Sequence, residues 1–344
     1  MRVWLQLDGS LPRAGENARA LAGRGADGAF TFEGPHDVFL PLVPAAQTSL
    51  DLMTNVAIVG PRSPVHLAHA AYDLQALSKG RFRLGLGSQI KVHVEKRYGA
   101  TWHPPARFVG ETVRAVKAVF AAWEGERPLD FRGEFHTHTL MPPNFNPGPN
   151  RYGRPPVLMG ALGPIMTRTA AEVADGLLVM PFNTIRHFAD RTMPAVEEGL
   201  RRSGRSIGEF PIIPQVMVAV GNDDAQLRAA VDGVAFLIAF YGSTPAYRPV
   251  LDAEGWGEIH PELNRLSKQG DYPAMRSLIT DEMVARIGIV GNPADCAAEI
   301  RRRFGDVADE VCCYFPAYEP DGAAVSDLVA ELHAAGVAGV VHAP

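Results

Sequence analysis

The stretch that decides the fold is LDLMTNVAIVGPRSPVHLAHAAYDLQALSKGRFRLGLGSQ, residues Leu50–Gln89. It begins with an apolar, β-prone run that GPRSP interrupts. The following PVHLAHAAYDLQAL has the apolar stripe of a helix, and Pro64 is acceptable in a first turn. SKG ends that helix, and RFRLGLG is a second apolar strand. A strand, a crossover helix and another strand form a parallel pair, so this stretch predicts an α/β fold.

The same alternation extends along the chain. Most strand-like runs precede a helix-like run, such as 39–48 after the second strand and Arg107–Trp123 after the fourth. Eight such strands predict a (β/α)8 TIM barrel that forms a single domain over residues 1–344, with ligands at the carboxyl ends of the strands. The eight runs are 3–7, 28–32, the two strands of 50–89, 156–160, 176–180, 210–220 and 310–315.

Three stretches exceed the minimal barrel. Residues 88–106 read as a polar loop after strand four, and 129–155 as a small hairpin followed by a Pro-, Asn- and Gly-rich loop. Residues 242–281 form a long insertion after the helix that follows strand seven. Long insertions in compact domains usually serve as lids or substrate walls, and we expect that role here.

The composition is that of an ordinary soluble protein, with 47% hydrophobic and 21% charged residues among 344. The net charge of −5 and the absence of a basic block argue against nucleic acid or an acidic membrane as the main partner. No run approaches the ~20 apolar residues of a membrane span. The first residues, MRVWLQLDGS, lack the features of a signal peptide and indicate a first strand instead, so we predict a cytoplasmic protein.

Cysteine and histidine give little support for a metal site. The three cysteines are too few for a disulfide framework, and Cys312 and Cys313 are predicted to point to opposite faces of one strand. Two histidine pairs, His66 with His69 and His136 with His138, have no evident third ligand. We therefore predict buried, unreactive thiols and no metal.

Several motifs resemble the luciferase-like monooxygenase superfamily, specifically its branch that uses the deazaflavin coenzyme F420. They are FEGPHDVFLPLVPAAQTS, LMTNVAIVGPRSPVHLAHAAYDLQALSKGRFRLGLGS, PPVLMGALGPIMTRTAAEVADGLLV and RIGIVGNPADCAAEIRRRF. The resemblance covers nearly the whole chain in order. It implies a TIM barrel, a flavin or deazaflavin cofactor, an oxidoreductase activity and a homodimer.

The loop after strand two carries the candidate catalytic residues Glu33, His36 and Asp37. Hydride transfer to or from a deazaflavin needs a neighbouring group that moves a proton, and histidine suits that task. The resemblance implies an acidic residue and a histidine at this position. The alternative is that His36 and Asp37 cap the following helix, because aspartate is a favourable cap.

The loops after strands three and four would contact the cofactor. The resemblance implies a non-proline cis peptide behind the deazaflavin ring, and Asn55–Val56 is the best candidate, with Ala57 beside it. The alternative is an ordinary trans strand. Ser88 and Gln89 would form a pocket wall where related dehydrogenases carry a proton-donating carboxylate. That departure argues against a sugar-phosphate dehydrogenase.

The loops after strands five and six complete the predicted groove. Gly160, Ala161, Leu162 and Gly163 join strand five to a helix, and small residues at a helix N-terminus favour an anion. The resemblance makes this turn a phosphate site, and the alternative is a plain connecting turn. Met180 and Phe182 would line the same groove.

These features lead to a primary hypothesis and two alternatives. The primary hypothesis is an F420-dependent oxidoreductase that transfers a hydride between the cofactor and a small organic substrate. The first alternative is an FMN-dependent monooxygenase supplied by a separate reductase, and Arg97-Tyr98 keeps it open as flavin contacts. The second is a non-catalytic cofactor-binding barrel, because a fold alone does not prove activity.

Overall fold

A closed barrel of eight parallel strands forms the centre of the molecule. The computed structural model describes residues 1–334. Around the barrel the strand order is β1, β2, β3, β5, β8, β9, β10 and β12, and β12 pairs with β1 to close the ring. The strands are β1 Arg2–Gln6, β2 Gly28–Thr31, β3 Asp51–Thr54, β4 Ala57–Ile58, β5 Phe82–Gly87, β6 Phe131–Arg132, β7 Thr137–His138, β8 Val157–Ala161, β9 Gly176–Val179, β10 Ile212–Val220, β11 Ile289–Gly291 and β12 Glu310–Tyr314. The predicted TIM barrel is confirmed.

Helices surround the ring and cover the outer faces of the strands. They are α1 Ala14–Gly23, α2 Leu42–Ala45, α3 Pro64–Leu77, α4 Lys91–Lys96, α5 Pro105–Trp123, α6 Pro164–Val173, α7 Ile185–His187, α8 Met193–Ser203, α9 Asp224–Gly242, α10 Arg248–Ala253, α11 His260–Gln269, α12 Tyr272–Ser277, α13 Asp281–Ile287, α14 Pro293–Phe304 and α15 Gly322–Ala334. Each strand is therefore buried on both faces, which explains its continuous apolar run.

One layer of large side chains fills the barrel interior below the mouth. Almost every barrel strand supplies one of them, and the layer consists of Trp4, Phe30, Met53, Leu158, Leu178, Ile213 and Cys312. The strand β5 supplies Gly85 instead, where a Cβ would overlap the Thr54 carbonyl oxygen. At the amino end, Glu310 accepts from the Trp4 indole at 2.6 Å and pairs with Arg83 at 2.9 Å, which closes the bottom of the barrel.

The structure confirms that Cys312 and Cys313 point to opposite faces of one strand. Cys312 faces the barrel interior, whereas Cys313 packs in the outer core between strands and helices. Burial raises the pKa of both thiols, and this disfavours the thiolate that would react or bind a metal.

Three predicted segments differ in detail. The helix predicted over 39–48 is reduced to α2, because Pro41 and Pro44 lack the N–H groups that a longer helix needs. The predicted polar loop 88–106 contains α4, and the insertion 242–281 is largely helical. Three of its four prolines, Pro249, Pro261 and Pro273, lie in the first turns of α10, α11 and α12, where proline is well tolerated. The hairpin predicted within 129–155 is present as β6 and β7.

No single helix among residues 1–334 is long and apolar enough to span a membrane. The segments Asp224–Gly242 and Pro245–Ala253 reach that length and hydropathy when they are counted together, and they meet at an angle of 102°.

Candidate active site

The carboxyl ends of β3, β5 and β8 meet around the side chain of Val56. The Asn55–Val56 peptide bond is cis, which confirms that prediction. A Cβ on Gly87 would overlap Val56 Cγ2, and one on Gly160 would lie 3.0 Å from Val56 Cγ1. The two glycines therefore leave the space that the valine side chain fills, and Val56 packs on the interior layer of the barrel. This contact fixes the backbone of residues 55–57 at the mouth of the barrel.

Asn55 is buried at this mouth without hydrogen-bond partners for its side chain. It is 6% exposed, and neither its Nδ2 nor its Oδ1 makes a hydrogen bond of normal geometry with a described residue, although the Cys312 thiol is close enough to interact with the carboxamide. Most buried polar atoms in proteins are paired, and an unpaired one carries a desolvation cost. The carboxamide is therefore suited to a molecule that brings both a donor and an acceptor to the mouth.

Glu33 is the most constrained of the three predicted catalytic residues. Its carboxylate accepts from the Ile58 backbone N–H at 2.8 Å and from Arg62 Nη1 at 2.7 and 2.8 Å. The Glu33 side chain is only 8% exposed, so these bonds hold a charge that is largely removed from water. Glu33 thus joins the loop after β2 to the segment after β4.

Asp37 and His36 lie further out on the rim. Asp37 accepts from the backbone N–H groups of Phe39 and Leu40 at 2.7 and 2.8 Å, so it stabilises the turn before α2. The alternative interpretation as a helix cap is wrong, because the N-cap of α2 is Pro41 and no side chain caps that helix. His36 is exposed and packs beside Gly9, where a Cβ would lie 3.2 Å from the His36 Cβ. The structure therefore brings Glu33 to the mouth and leaves His36 accessible from solvent.

Tyr98 is a nearby residue to which sequence reasoning gave only a flavin-contact role. Its hydroxyl is buried close to the Glu33 carboxylate and makes no hydrogen bond of normal geometry with a described residue. Burial and the charge of Glu33 raise the pKa of Tyr98, so the phenol keeps its proton at neutral pH. The adjacent Arg97 donates to the Gly34 carbonyl and lies over the Tyr98 ring at 5.0 Å. The loop after β5 is thereby attached to the loop after β2.

Ser88 and Gln89 follow β5, the fourth barrel strand, and both are half-buried, and the pocket wall that they would form stays a prediction. Gln89 has a φ of 59°, and its Oε1 accepts from the Ile90 backbone N–H at 2.9 Å. The next carboxylate along this loop is Glu95, which is exposed and lies 3.7 Å from Lys91. The acid that related dehydrogenases carry at this point is thus not supplied by residues 88–94, and Glu33 is the carboxylate held at the mouth.

The predicted phosphate turn is only partly open. Gly160 lies within β8 and faces Val56, while Ala161 and Leu162 are buried. Gly163 is exposed, and no atom lies within 4 Å of a Cβ built on it. Gly163 is the N-cap of α6, and no side chain caps that helix. An anion could therefore bind at Gly163, whereas the buried Ala161 and Leu162 are not accessible to it.

Aromatic residues gather after β9 and at the end of β12, at the carboxyl end of the barrel. Phe182 is fully buried after β9, and its ring lies 5.9 Å from Tyr241 and 6.3 Å from Tyr247. Met180 packs against the same cluster, as does Tyr314 at the end of β12. The sequence analysis predicted Met180 and Phe182 but missed the tyrosines. The pattern EVCCYF placed Tyr314 at a strand end, which could have identified it.

The two described cavities lie away from this mouth. One of about 540 Å³ lies on the outer side of α9, against α13 and β11. The other, of about 440 Å³, lies at the amino ends of the strands beside Arg83 and Glu310. Function in TIM barrels is located at the carboxyl ends, so neither cavity replaces the mouth as the candidate site.

The histidine pairs have structural contacts. His69 stacks on Trp123 at 4.9 Å, and the His136 Nε2 lies 2.9 Å from the Thr112 hydroxyl. Within residues 1–334, no group of three His, Cys, Asp or Glu side chains is arranged to hold a metal ion.

Comparison with known proteins identifies the family. The model of the luciferase-like monooxygenase family matches residues 2–310, so the chain belongs to that family. An uncharacterized protein of Mycobacterium tuberculosis is 46% identical over 319 residues, which cover 91% of this chain and 94% of that protein. The 5,10-methylenetetrahydromethanopterin reductase of Archaeoglobus fulgidus is 29% identical over 74% of this chain and 75% of its own.

A solved structure extends the likeness to the fold. The coenzyme F420-dependent tetrahydromethanopterin reductase of Methanopyrus kandleri superimposes with a TM-score of 0.80 at 21% identity. The match covers 97% of this chain and 98% of that one. It shows that both chains share the same barrel.

Proposed function

We propose that this protein is an F420-dependent oxidoreductase that transfers a hydride between the deazaflavin and a small organic substrate. The observation that carries the proposal is the buried, unpartnered Asn55 carboxamide beside Val56 at the mouth of the barrel. A carboxamide has both a donor and an acceptor, and it complements the pyrimidinedione edge of a deazaflavin or flavin ring. The likeness to the named reductases supports the deazaflavin.

The residues present fit such a group. Residues 55–57 would back the ring, and Gly163 at the start of α6 would receive the phosphate of the cofactor tail. Bound F420 would supply the hydride chemistry, and the protein supplies orientation and a dry pocket. Glu33, Tyr98 and the exposed His36 are the groups at the mouth that can hold or move a proton.

Proton transfer would involve these groups differently. Tyr98 keeps its hydroxyl proton at neutral pH because burial and Glu33 raise its pKa. Glu33 accepts hydrogen bonds from Arg62 and the Ile58 N–H, which fix its position. His36 lies on the rim, where it can exchange protons with solvent. This arrangement suits a buried donor at Tyr98 and a solvent-linked relay at His36.

The FMN-dependent monooxygenase is the second candidate, because the family includes monooxygenases and the barrel is common to both. The sequence feature that favoured FMN was Arg97-Tyr98, as flavin contacts. Arg97 donates to the Gly34 carbonyl and covers the Tyr98 ring, so its guanidinium is engaged within the protein. That engagement favours F420 over FMN. The homodimer and the cytoplasmic location stay predictions.

An absorbance titration with F420 and with FMN tests the proposal, using wild type, Asn55→Ala and a control Asn17→Ala on α1. We expect F420 to bind more tightly than FMN, with Asn55→Ala weakening F420 binding about tenfold, which corresponds to one lost hydrogen-bonding group. Asn17→Ala should bind as wild type does. Tight FMN binding without F420 binding would overturn the proposal in favour of the monooxygenase.

A turnover assay separates the enzyme from a non-catalytic barrel. Reduced F420 absorbs differently from oxidised F420, so its reoxidation in the presence of a substrate panel can be followed directly. Reoxidation that depends on both protein and substrate supports the oxidoreductase. F420 binding without turnover across a broad panel supports the cofactor-binding barrel.

A further inference from the structure

Three tyrosines from distant parts of the chain lie together at the carboxyl end of the barrel. Tyr314 ends β12, Tyr241 lies in the last turn of α9, and Tyr247 precedes α10 in the insertion. The rings of Tyr241 and Tyr247 are 5.9 Å apart, and both pack on Phe182. We call Tyr241, Tyr247 and Tyr314 the tyrosine wall.

No described residue forms a hydrogen bond with a hydroxyl of the tyrosine wall, and the three side chains are half-buried, so these hydroxyls are accessible. Tyrosines with a structural role in this protein behave differently. The Tyr318 hydroxyl donates to the Val218 carbonyl at 2.8 Å and accepts from the Val220 N–H at 3.1 Å. The hydroxyls of the tyrosine wall are therefore available to hydrogen-bond to a molecule that enters the mouth.

The tyrosine wall is also uncharged. Burial raises the pKa of all three phenols, that of Tyr247 to about 12, so they stay protonated at neutral pH. The further contributions come from the tyrosines themselves: Tyr314 and Tyr247 both act on Tyr241. No lysine, arginine or carboxylate of the described chain contributes to these shifts. A ligand placed against the tyrosine wall meets aromatic faces and neutral hydroxyl groups.

We propose that the tyrosine wall is the substrate-binding face and takes an uncharged, flat ring compound that carries a carbonyl or hydroxyl oxygen. The inference rests on the proposed function, because the cofactor ring at residues 55–57 would face it. Aromatic rings favour stacking on Phe182 and the tyrosines. The neutral hydroxyls would donate to the substrate oxygen, and a carboxylate or phosphate would be disfavoured because its charge would be buried without a partner.

The test uses calorimetric binding of two matched probes, 2-acetonaphthone and 2-naphthoate, to F420-loaded and to cofactor-free protein. We expect the neutral ketone to bind at least about tenfold more tightly than the carboxylate of the same ring system. The variants are Tyr241→Phe, Tyr247→Phe and Tyr314→Phe, which keep the ring and remove the donor. Tyr272→Phe on α12 is the control, since that tyrosine is exposed and lies outside the wall.

Loss of the hydroxyl from at least one wall tyrosine should weaken ketone binding about five- to tenfold. Tyr272→Phe should leave it unchanged, and thermal unfolding confirms that each variant is folded. Equal affinity for both probes, or unchanged ketone binding in all three wall variants, would overturn the inference. If the protein still binds F420 in that case, the proposed function stays intact. Conversely, ketone binding with these losses in protein that binds no F420 would reject the proposed function and support the wall as a binding face.

Discussion

One guanidinium nitrogen of Arg62, Nη1, donates to both carboxylate oxygens of Glu33, at 2.7 and 2.8 Å. The Arg62 side chain is 19% exposed and that of Glu33 is 8% exposed, so this pair is poorly screened by water. It connects the loop after β2 to the segment after β4, and both loops border the candidate site.

We predict that Arg62→Gln lowers the free energy of unfolding by about 1.5–3 kcal/mol, because a nearly buried carboxylate loses its charged partner. Urea unfolding of the cofactor-free protein measures this loss. Arg13→Gln is the matched control: its pair with Asp8 is exposed, with side chains 67% and 47% accessible. That control should cost less than about 1 kcal/mol. Similar losses of unfolding free energy in both variants would show that the Arg62–Glu33 pair stabilises the protein no more than an exposed pair does.

Gly87→Ala should destabilise the protein and weaken cofactor binding together. The added methyl would overlap Val56 Cγ2, and overpacking of this kind costs about 1–3 kcal/mol. Urea unfolding and the F420 titration measure the two effects. Gly163→Ala is the stability control, since its Cβ meets no atom within 4 Å. The double variant Val56→Ala with Gly87→Ala should recover part of the lost stability, and no recovery would contradict the contact.

Asn55→Leu should stabilise the cofactor-free protein while it weakens F420 binding. The leucine removes two unpaired polar atoms from a buried position of similar volume, and we expect a gain of about 1–2 kcal/mol in unfolding free energy. Asn183→Leu provides the contrast, because Asn183 Oδ1 contacts His187 Nδ1 and the Thr184 N–H, each at 2.9 Å. It should destabilise. A loss of stability in Asn55→Leu without a change in F420 affinity would refute this role for Asn55.

The protein should become less stable as the pH falls, because His187 is buried with a lowered pKa. Burial, and then the charge of Arg191, lower the pKa of His187 to about 4 from the ordinary 6.5. The unfolded state therefore binds more protons than the folded state between these values, so unfolding free energy decreases as pH falls from 6.5 towards 4, by up to about 3 kcal/mol. Urea unfolding at several pH values should give a shallower slope for His187→Gln than for wild type. His66→Gln, exposed on α3, should keep the wild-type slope, and equal slopes in all three proteins would exclude His187 as the cause.

The barrel could be predicted from local patterns because each strand is buried on both faces and each helix on one. The runs around Trp4, Leu158 and Ile213 are continuous and apolar for that reason. The helices of the insertion were not predicted from the sequence. Pro249, Pro261 and Pro273 each lie in the first turn of one of these helices, where proline is well tolerated.

The sequence by itself determined the order of strands and helices, the loops at the carboxyl ends of the strands, and the position of Asn55–Val56 through its resemblance to the family. Only the tertiary structure decided that Val56 fills the space left by Gly87 and Gly160, and that Tyr241 and Tyr314 lie together at the carboxyl end of the barrel. Local periodicity reports which face of an element is buried. Which side chains meet across the barrel depends on its closure, because that closure brings together residues that lie far apart in the chain.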